Sequence, residues 1–297
     1  MHGSQASNVA CNECDLLIAV GCRFSDRVAL QPDTFASQAK IVHIDIDRSE
    51  IDKNVLTDHH IIGSAKRVLE LLNERLPQYH HQSWKEHILP LREPQVVEEG
   101  DKLTPGQILD AIEKAVPRDA IVATDVGQHQ MWSIQHFHFN YPGQLLTSGG
   151  FGTMGFGLGA AIGAKIGNPD KVVVHTTGDG CFRMNCHELA TVEHYHLPII
   201  TVVFNNGTLG MVRQWQHLIY HEHYSQTTLD RGPDFVKLAQ AYGLKGKRVT
   251  NRAEMEQALQ EALSCGCGYV IDCQVDMDEM VRPMVAGGAH ITDFLLK

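Results

Sequence analysis

Two short segments of this 297-residue chain combine residue types that could hold a metal ion and a phosphate. Gly178-Asp179-Gly180 places a carboxylate between glycines, and Asn205-Asn206 supplies carboxamides; each closes a run rich in Val, Ile and Thr. A carboxylate with an amide oxygen makes a hard ligand pair that suits Mg²⁺, an ion that keeps part of its shell for water and substrate phosphates. The flanking glycines let the backbone come close to a phosphate. Either segment alone is also an ordinary turn or strand end. Their joint occurrence, with the right topology between them, favours a magnesium-diphosphate site.

That topology follows from the intervening chain. Residues 171–177 and 198–204 read as buried strands, rich in β-branched residues and bounded by turn formers. Residues 182–195 have helical spacing and room for a crossover. A strand-helix-strand unit of this kind is right-handed and parallel, so both strands end on the same edge of the sheet, where open α/β sheets bind ligands. Asp179 and Asn206 are therefore expected to converge.

The wider pattern is α/β. Residues 16–20 and 41–46 are expected strands, followed by a helix from Ser64 as N-cap through Leu72. Residues 77–101 lose periodicity and read as a connection, with a short helix near 84–91. A second unit starts with Thr104 as N-cap and Pro105 at the first helical position. Its strands are expected near 120–124, 144–147, 172–177, 199–204, 245–249 and 269–275, with helices between them that include 233–242 and 253–264. This gives a doubly wound, mostly parallel sheet at 102–297, preceded by part of a second, Rossmann-like α/β domain at 1–76. The glycines of 150–167 sit among Ala, Met, Leu and Ile, so close packing of a helix is expected to explain most of them.

Composition sets outer bounds. With 43% hydrophobic and 20% charged residues and a formal net charge of −10, the chain is a globular protein with no cationic footprint for nucleic acid or anionic membranes. Its apolar runs are too short for a bilayer span, and the start lacks the layout of a signal peptide, so a cytoplasmic location is the expectation. The eight cysteines include a CxxC at Cys11 and Cys14 and a CxC at Cys265 and Cys267, patterns that in isolation hint at zinc. Their scattered neighbours Cys22, Cys181, Cys186 and Cys273 point instead to reduced thiols.

The segment GDGCF followed by FNNGTLGMVRQWQ resembles the cofactor motif of thiamine diphosphate-dependent decarboxylases and carboligases. With TDVGQHQMW at 124–132 and SGGFGTMGFGLGAAIGA at 148–164, nearly the whole chain resembles the large catalytic subunit of the acetolactate synthase (acetohydroxyacid synthase) family. That resemblance implies Mg²⁺ ligands at Asp179, Asn206 and the Thr208 carbonyl. It implies thiamine diphosphate contacts at Val126, Gly127, Gln128, His129, Gly152, Met154, Gly180, Cys181, Leu209, Gly210 and Met211, with Met154 as the apolar wedge that bends the cofactor. Trp215 is implied as the residue limiting space for the second 2-oxo acid.

The same resemblance implies a largely structural FAD held through Gly21, Arg23, Asp26, Val28, Asp45 and Ile46, since GCRFSDR and HIDID stand where the family has flavin-binding segments. The expected reaction condenses pyruvate with a second 2-oxo acid, releasing CO₂, on the route to isoleucine and valine. Family members are dimers or higher homo-oligomers, with a small regulatory subunit. The sequence departs from the pattern at Ser25, Ser64, Gly159 and Cys181, and none of these removes a metal ligand. The family's pyrimidine-binding domain, with the glutamate that starts the chemistry, has no counterpart in these residues, so the chain alone is expected to be weak or inactive. A non-catalytic cofactor-binding remnant and another thiamine-dependent carboligase or decarboxylase are the alternatives, the second disfavoured by QHQMW and MVRQWQ.

Overall fold

A computed structural model describes residues 1–92, 100 and 102–295, which form two compact units. The first comprises the described residues of 1–94 together with those of 282–297. Helix α1 (Gln5–Glu13) precedes β1 (Leu16–Val20), β2 (Lys40–Asp45) and β3 (His59–Ile62), which pair in parallel in the order β1-β2-β3. Ile41 and Ile44 of β2 are buried, as are Phe24 and Phe35 in the loop between β1 and β2. The edge strand β1 buries Ala19 while Leu16 and Ile18 stand about half exposed. Helix α2 (Ala65–Arg75) starts after Ser64, as expected, although the Ser64 side chain makes no capping bond.

The expected connection at 77–101 contains α3 (Gln82–Ile88), whose His87 is 2.7 Å from Glu13 of α1; residues 93–99 and 101 lie outside the described residues. The end of the chain groups with this first unit. Val285 N donates to the Met1 carbonyl, and Asn8 Nδ2 donates to the Ile291 carbonyl at 2.8 Å.

The second unit contains the described residues of 95–281. It opens with α4 (Pro105–Ala115), where Thr104 and Gln107 close a reciprocal capping box and Pro105 occupies the first turn. There follow β4 (Ile121–Thr124), α5 (Gln128–His136), β5 (Leu145–Thr147), α6 (Phe156–Gly167), β6 (Val173–Gly178), α7 (Asp179–Asn185), α8 (Leu189–His194), β7 (Ile199–Asn205), α9 (Gly210–Leu218), α10 (Phe235–Ala241), β8 (Lys245–Val249), α11 (Arg252–Ser264) and β9 (Tyr269–Gln274). All six strands are parallel, in the order β5-β4-β6-β7-β9-β8.

Alternation along the central strands supplies two cores. Ile200, Val202 and Phe204 of β7 join Ile108, Ile112, Trp132 and Leu259 on one face. Ile199 and Val203 join Leu158, Phe182, Leu189 and Phe235 on the other. Helices thus cover both faces, the doubly wound arrangement expected from the alternation of elements.

Two expectations need correction. The crossover between β6 and β7, read as one helix over 182–195, begins at Asp179 and is interrupted by a tighter turn at Cys186–Glu188. The glycines of α6 are also not all packing glycines. A β-carbon at Gly157 would lie 2.6 Å from His175 Nε2, whereas at Gly159, Gly163 and Gly167 it would meet nothing within 4 Å.

Candidate functional site

The strand order reverses direction between β4 and β6. From β4 the chain passes outward to β5, then crosses to β6 on the opposite side of β4. In an open parallel sheet the crevice beyond the carboxyl ends at such a reversal is the natural binding place, because the loops leaving the two strands part there. Asp125 leaves β4 and Asp179 leaves β6 at this reversal. The register then levels the neighbouring ends, since Gly178 lies opposite Phe204. Asp179 and Asn206 therefore emerge from adjacent strands at nearly the same height.

Asp179 is the first residue of α7 and only 4% exposed. Burial pushes its carboxyl up to about 6, while the backbone N–H groups of Asp179 and Gly180 and the charge of Arg183 pull the other way. A buried carboxylate at a strand end gains most from a cation, so the donor set fits Mg²⁺. The Asn206 carboxamide faces its neighbours with both ends: Oδ1 accepts from Thr208 N at 3.2 Å and Nδ2 donates to Gln128 Oε1 at 3.3 Å. Oδ1 retains a second lone pair for a metal. Thr208 is buried, its hydroxyl donating to the Thr227 carbonyl at 2.9 Å.

The glycine geometry ties the other predicted residues to this point. A β-carbon at Gly180 would lie 3.0 Å from the Leu209 side chain and 3.8 Å from the end of Met154, so these three positions adjoin. At Gly152, which has φ +74°, it would lie 3.8 Å from Val126. Cys181 Sγ donates to the Val126 carbonyl at 3.0 Å, and burial pushes its thiol up to about 12, keeping it a neutral donor. Gly210 faces the Gln128 amide. Helices α5 and α9 begin in these loops, and their first N–H groups have no partner within the helix, which favours an anion.

The His129 ring packs beside Gly127 and Gly178 and over Phe204. It is buried, Nε2 has no hydrogen-bond partner, and desolvation pushes its pKa down to about 4, so the imidazole is neutral.

The structure thus joins Val126, Gly127, Gln128, His129, Gly152, Met154, Gly180, Cys181, Asn206, Leu209 and Gly210 around the strand ends beside Asp179. Met211 differs, because its side chain packs on the hydrophobic core and leaves only its backbone N–H at the start of α9. Trp215 lies half-buried farther along the same helix.

One residue beside the site is given no role by the sequence motifs. Asp125 is 1% exposed; it accepts from Gly157 N at 3.0 Å, His175 Nε2 at 3.0 Å and the Thr177 hydroxyl at 2.8 Å. Burial alone would raise its pKa, but the bond and charge of His175 and the Gly157 N–H outweigh that and hold it at about 2. This buried carboxylate fastens the β4 exit, from which Val126 to His129 follow, to β6 and α6. Its signal in the sequence is an aspartate directly after the apolar run 120–124.

The residues implied for a flavin belong to the first unit. Gly21, at φ +59°, donates its N–H to the Ile44 carbonyl at 2.8 Å, and Asp45 is buried and accepts from Asp47 N at 2.8 Å. Arg23, Val28 and Ile46 are exposed, Ile46 to 76%. Asp26 is paired with Arg27 at 2.7 Å. These positions follow the ends of β1 and β2, with side chains mostly in solvent. Among the described residues no group of three or more His, Cys, Asp or Glu is placed to hold a metal. Nor is any described helix long and apolar enough to cross a membrane.

Comparison with known proteins bears on the same segments. The family model for the C-terminal TPP-binding domain of thiamine pyrophosphate enzymes matches residues 125–273, and that for their central domain matches residues 1–72. The acetolactate synthase isozyme 2 large subunit of Escherichia coli is 43% identical over 302 residues, covering 100% of this chain and 54% of that protein. A probable acetolactate synthase large subunit of Methanocaldococcus jannaschii is 43% identical over 308 residues, covering 99% and 52%. The acetolactate synthase large subunit of Pyropia yezoensis is 43% identical over 298 residues, covering 97% and 50%. The chain spans about half the length of the curated relatives it matches.

Proposed function

The chain belongs to the thiamine pyrophosphate enzymes, and from that premise we propose that it carries the metal-and-diphosphate half of the active site of an acetolactate synthase large subunit. The proposed reaction joins pyruvate to a second 2-oxo acid with release of CO₂, within branched-chain amino acid synthesis and in the cytoplasm. The observation that carries this reading is the buried Asp179 carboxylate at the strand-order reversal, with Asn206 leaving the adjacent strand at the same height. When bound, thiamine diphosphate supplies a nucleophilic carbon and an electron sink for decarboxylation.

The chain's own residues position that chemistry. Asp179, Asn206 and the Thr208 carbonyl hold Mg²⁺, which neutralises the diphosphate. The loops Val126 to His129 and Leu209 to Met211, together with Gly180 and Cys181, surround the diphosphate, where the N–H groups at the starts of α5 and α9 favour its charge. Met154, beside Gly180 and Leu209, presses an apolar surface on the cofactor, and Gly152 gives it close approach. Trp215 bounds the space for the second 2-oxo acid. In the first unit, Gly21, Arg23, Asp26, Val28, Asp45 and Ile46 contact a structural FAD. A homo-oligomer with a small regulatory subunit is the proposed assembly.

The test is calorimetric titration of thiamine diphosphate with and without Mg²⁺. Tight binding that requires the metal, lost in Asp179→Ala, is the expected result. Equal affinity in that variant would remove the metal assignment. The reaction itself is tested by assaying acetolactate formed from pyruvate by the assembled enzyme.

A further inference from the structure

Away from the strand-end site, the end of α11 and the start of β9 bring two thiols together. Cys265 caps α11, and Gly266, at φ +64°, turns the backbone so that Cys267 folds back on it. The two Sγ atoms are 3.1 Å apart, and the backbone N–H of Cys267 lies 3.4 Å from Cys265 Sγ. Both thiols are free and half-buried. Cys265 Sγ thus receives two donors, the S–H and the N–H of Cys267, while its own S–H lies within reach of the carbonyls of Ala262 at 3.3 Å and Cys267 at 3.2 Å. Burial, together with that shared hydrogen, holds the Cys267 thiol above its ordinary pKa. The pair is therefore asymmetric: Cys267 is held as the thiol, and Cys265 is the sulfur that reaches the neighbouring cleft.

Cys265 also lines a cleft of about 510 Å³, with Lys245, Ser264, Glu261 and Tyr269 along its wall. Glu261 is occupied by Lys247 at 2.9 Å and by the Tyr269 hydroxyl at 2.8 Å. Lys245 has no ion pair among the described residues and offers a cation to an incoming carboxylate. The volume suits a small peptide.

We propose that Cys265 and Cys267 form a thiol–disulfide exchange site that accepts a small, carboxylate-bearing peptide disulfide and closes to an intrachain Cys265–Cys267 disulfide. The Cys265 thiolate attacks one sulfur of the ligand, its S–S bond breaks, and one half leaves and takes up the proton that Cys265 gave up. Cys267 loses its proton and attacks the Cys265 sulfur of the mixed disulfide, and the second half leaves as a thiol. Two protein thiols are oxidised by two electrons and one ligand disulfide is reduced to two thiols, so no other oxidant enters. Left-handed Gly266 is the device that lets so short a ring close.

The experiment treats the full chain with oxidised glutathione, alkylates the remaining thiols and maps the digested peptides by mass. The wild-type peptide holding both cysteines should become two hydrogens lighter, reversibly with reductant, as two glutathione thiols are released. Cys267→Ser should retain one glutathionyl group on Cys265, acquired about tenfold faster than on half-buried Cys186, whereas Cys265→Ser should react at Cys267 no faster than Cys186 does. Wild-type Cys265 and Cys267 both remaining alkylatable, or Cys265 in Cys267→Ser reacting no faster than Cys186, would overturn the assignment.

Discussion

Gly210 and Gln128 leave no room for a β-carbon between them. A methyl group on Gly210 would run into Oε1 of Gln128 and stand 2.7 Å from Asn206 Nδ2. Gln128 cannot swing away freely, because its Nε2 donates to Gln214 Oε1 at 2.9 Å and to the Glu279 carbonyl at 2.8 Å. Gly210→Ala is therefore expected to displace the Asn206 carboxamide. Overpacking of this kind costs roughly 1–3 kcal/mol, and Mg²⁺-dependent thiamine diphosphate affinity should fall about tenfold or more. Gly232→Ala is the control, since its nearest neighbour would be 3.7 Å away. Equal affinities for the two variants would show that Asn206 stays in place.

The two adjacent asparagines should separate cleanly. Asn205 Nδ2 donates to Asp272 Oδ1 at 2.8 Å, and fully buried Asp272 is also paired with Arg248 at 2.9 Å. Asn206 instead faces Gln128 and Thr208. Asn205→Ala should lower stability by about 1–3 kcal/mol, because it leaves a buried carboxylate short of a donor. Asn206→Ala should leave stability within about 1 kcal/mol while removing metal-dependent binding. Urea unfolding and calorimetry on both variants check this, and the reverse assignment of effects would mean that the wrong amide has been given to the metal.

What the sequence made legible divides along physical lines. The central strands of the second unit are buried on both faces, so β6 and β7 read as continuous β-branched runs whatever lies around them. Strand β3 does not, because its four residues are all exposed and His59-His60-Ile61-Ile62 shows no alternation. The pairing of the last residues with the first unit depends on contacts as remote as Asn8 with Ile291, which no local pattern encodes. The convergence of Asp179 and Asn206 was legible because parallel register brings strand ends level. The part played by Asp125 was not, since it depends on His175, 50 positions away, and on Gly157 in α6.

Asp125 gives the third prediction. Asp125→Asn keeps the shape but puts an amide where the carboxylate now accepts from His175 and Thr177. At least one donor must lose its acceptor inside a region with no access to water. A loss of about 2–4 kcal/mol is expected, measured by urea unfolding at pH 7. Gly157→Ala should act in the same direction, because its methyl would lie 2.8 Å from the Asp125 backbone nitrogen. A drop below about 0.5 kcal/mol in both would mean that the β4 exit is held by other contacts.

His129 should make stability depend on pH. Desolvation lowers its folded pKa to about 4 from 6.5; the facing charges are Asp125, which raises it, and His175, which lowers it further. The unfolded chain takes up this proton as pH falls through 6.5, whereas the folded chain does so only near 4. Within that window the unfolded state binds more protons, so stability falls as pH falls. The stabilisation is complete above the unfolded pKa, and about 2 kcal/mol of it should disappear between pH 7 and pH 5. Other groups titrate over the same range, notably His2, whose pKa is also lowered to about 4 by burial. The measurement is therefore a difference: urea unfolding of the wild type and of His129→Gln at both pH values. The wild type should lose about 2 kcal/mol more than the variant on acidification. Equal losses would mean that the His129 imidazole reaches water or gains a proton partner in the folded protein, and its neutral state beside the diphosphate loops would then have to be given up.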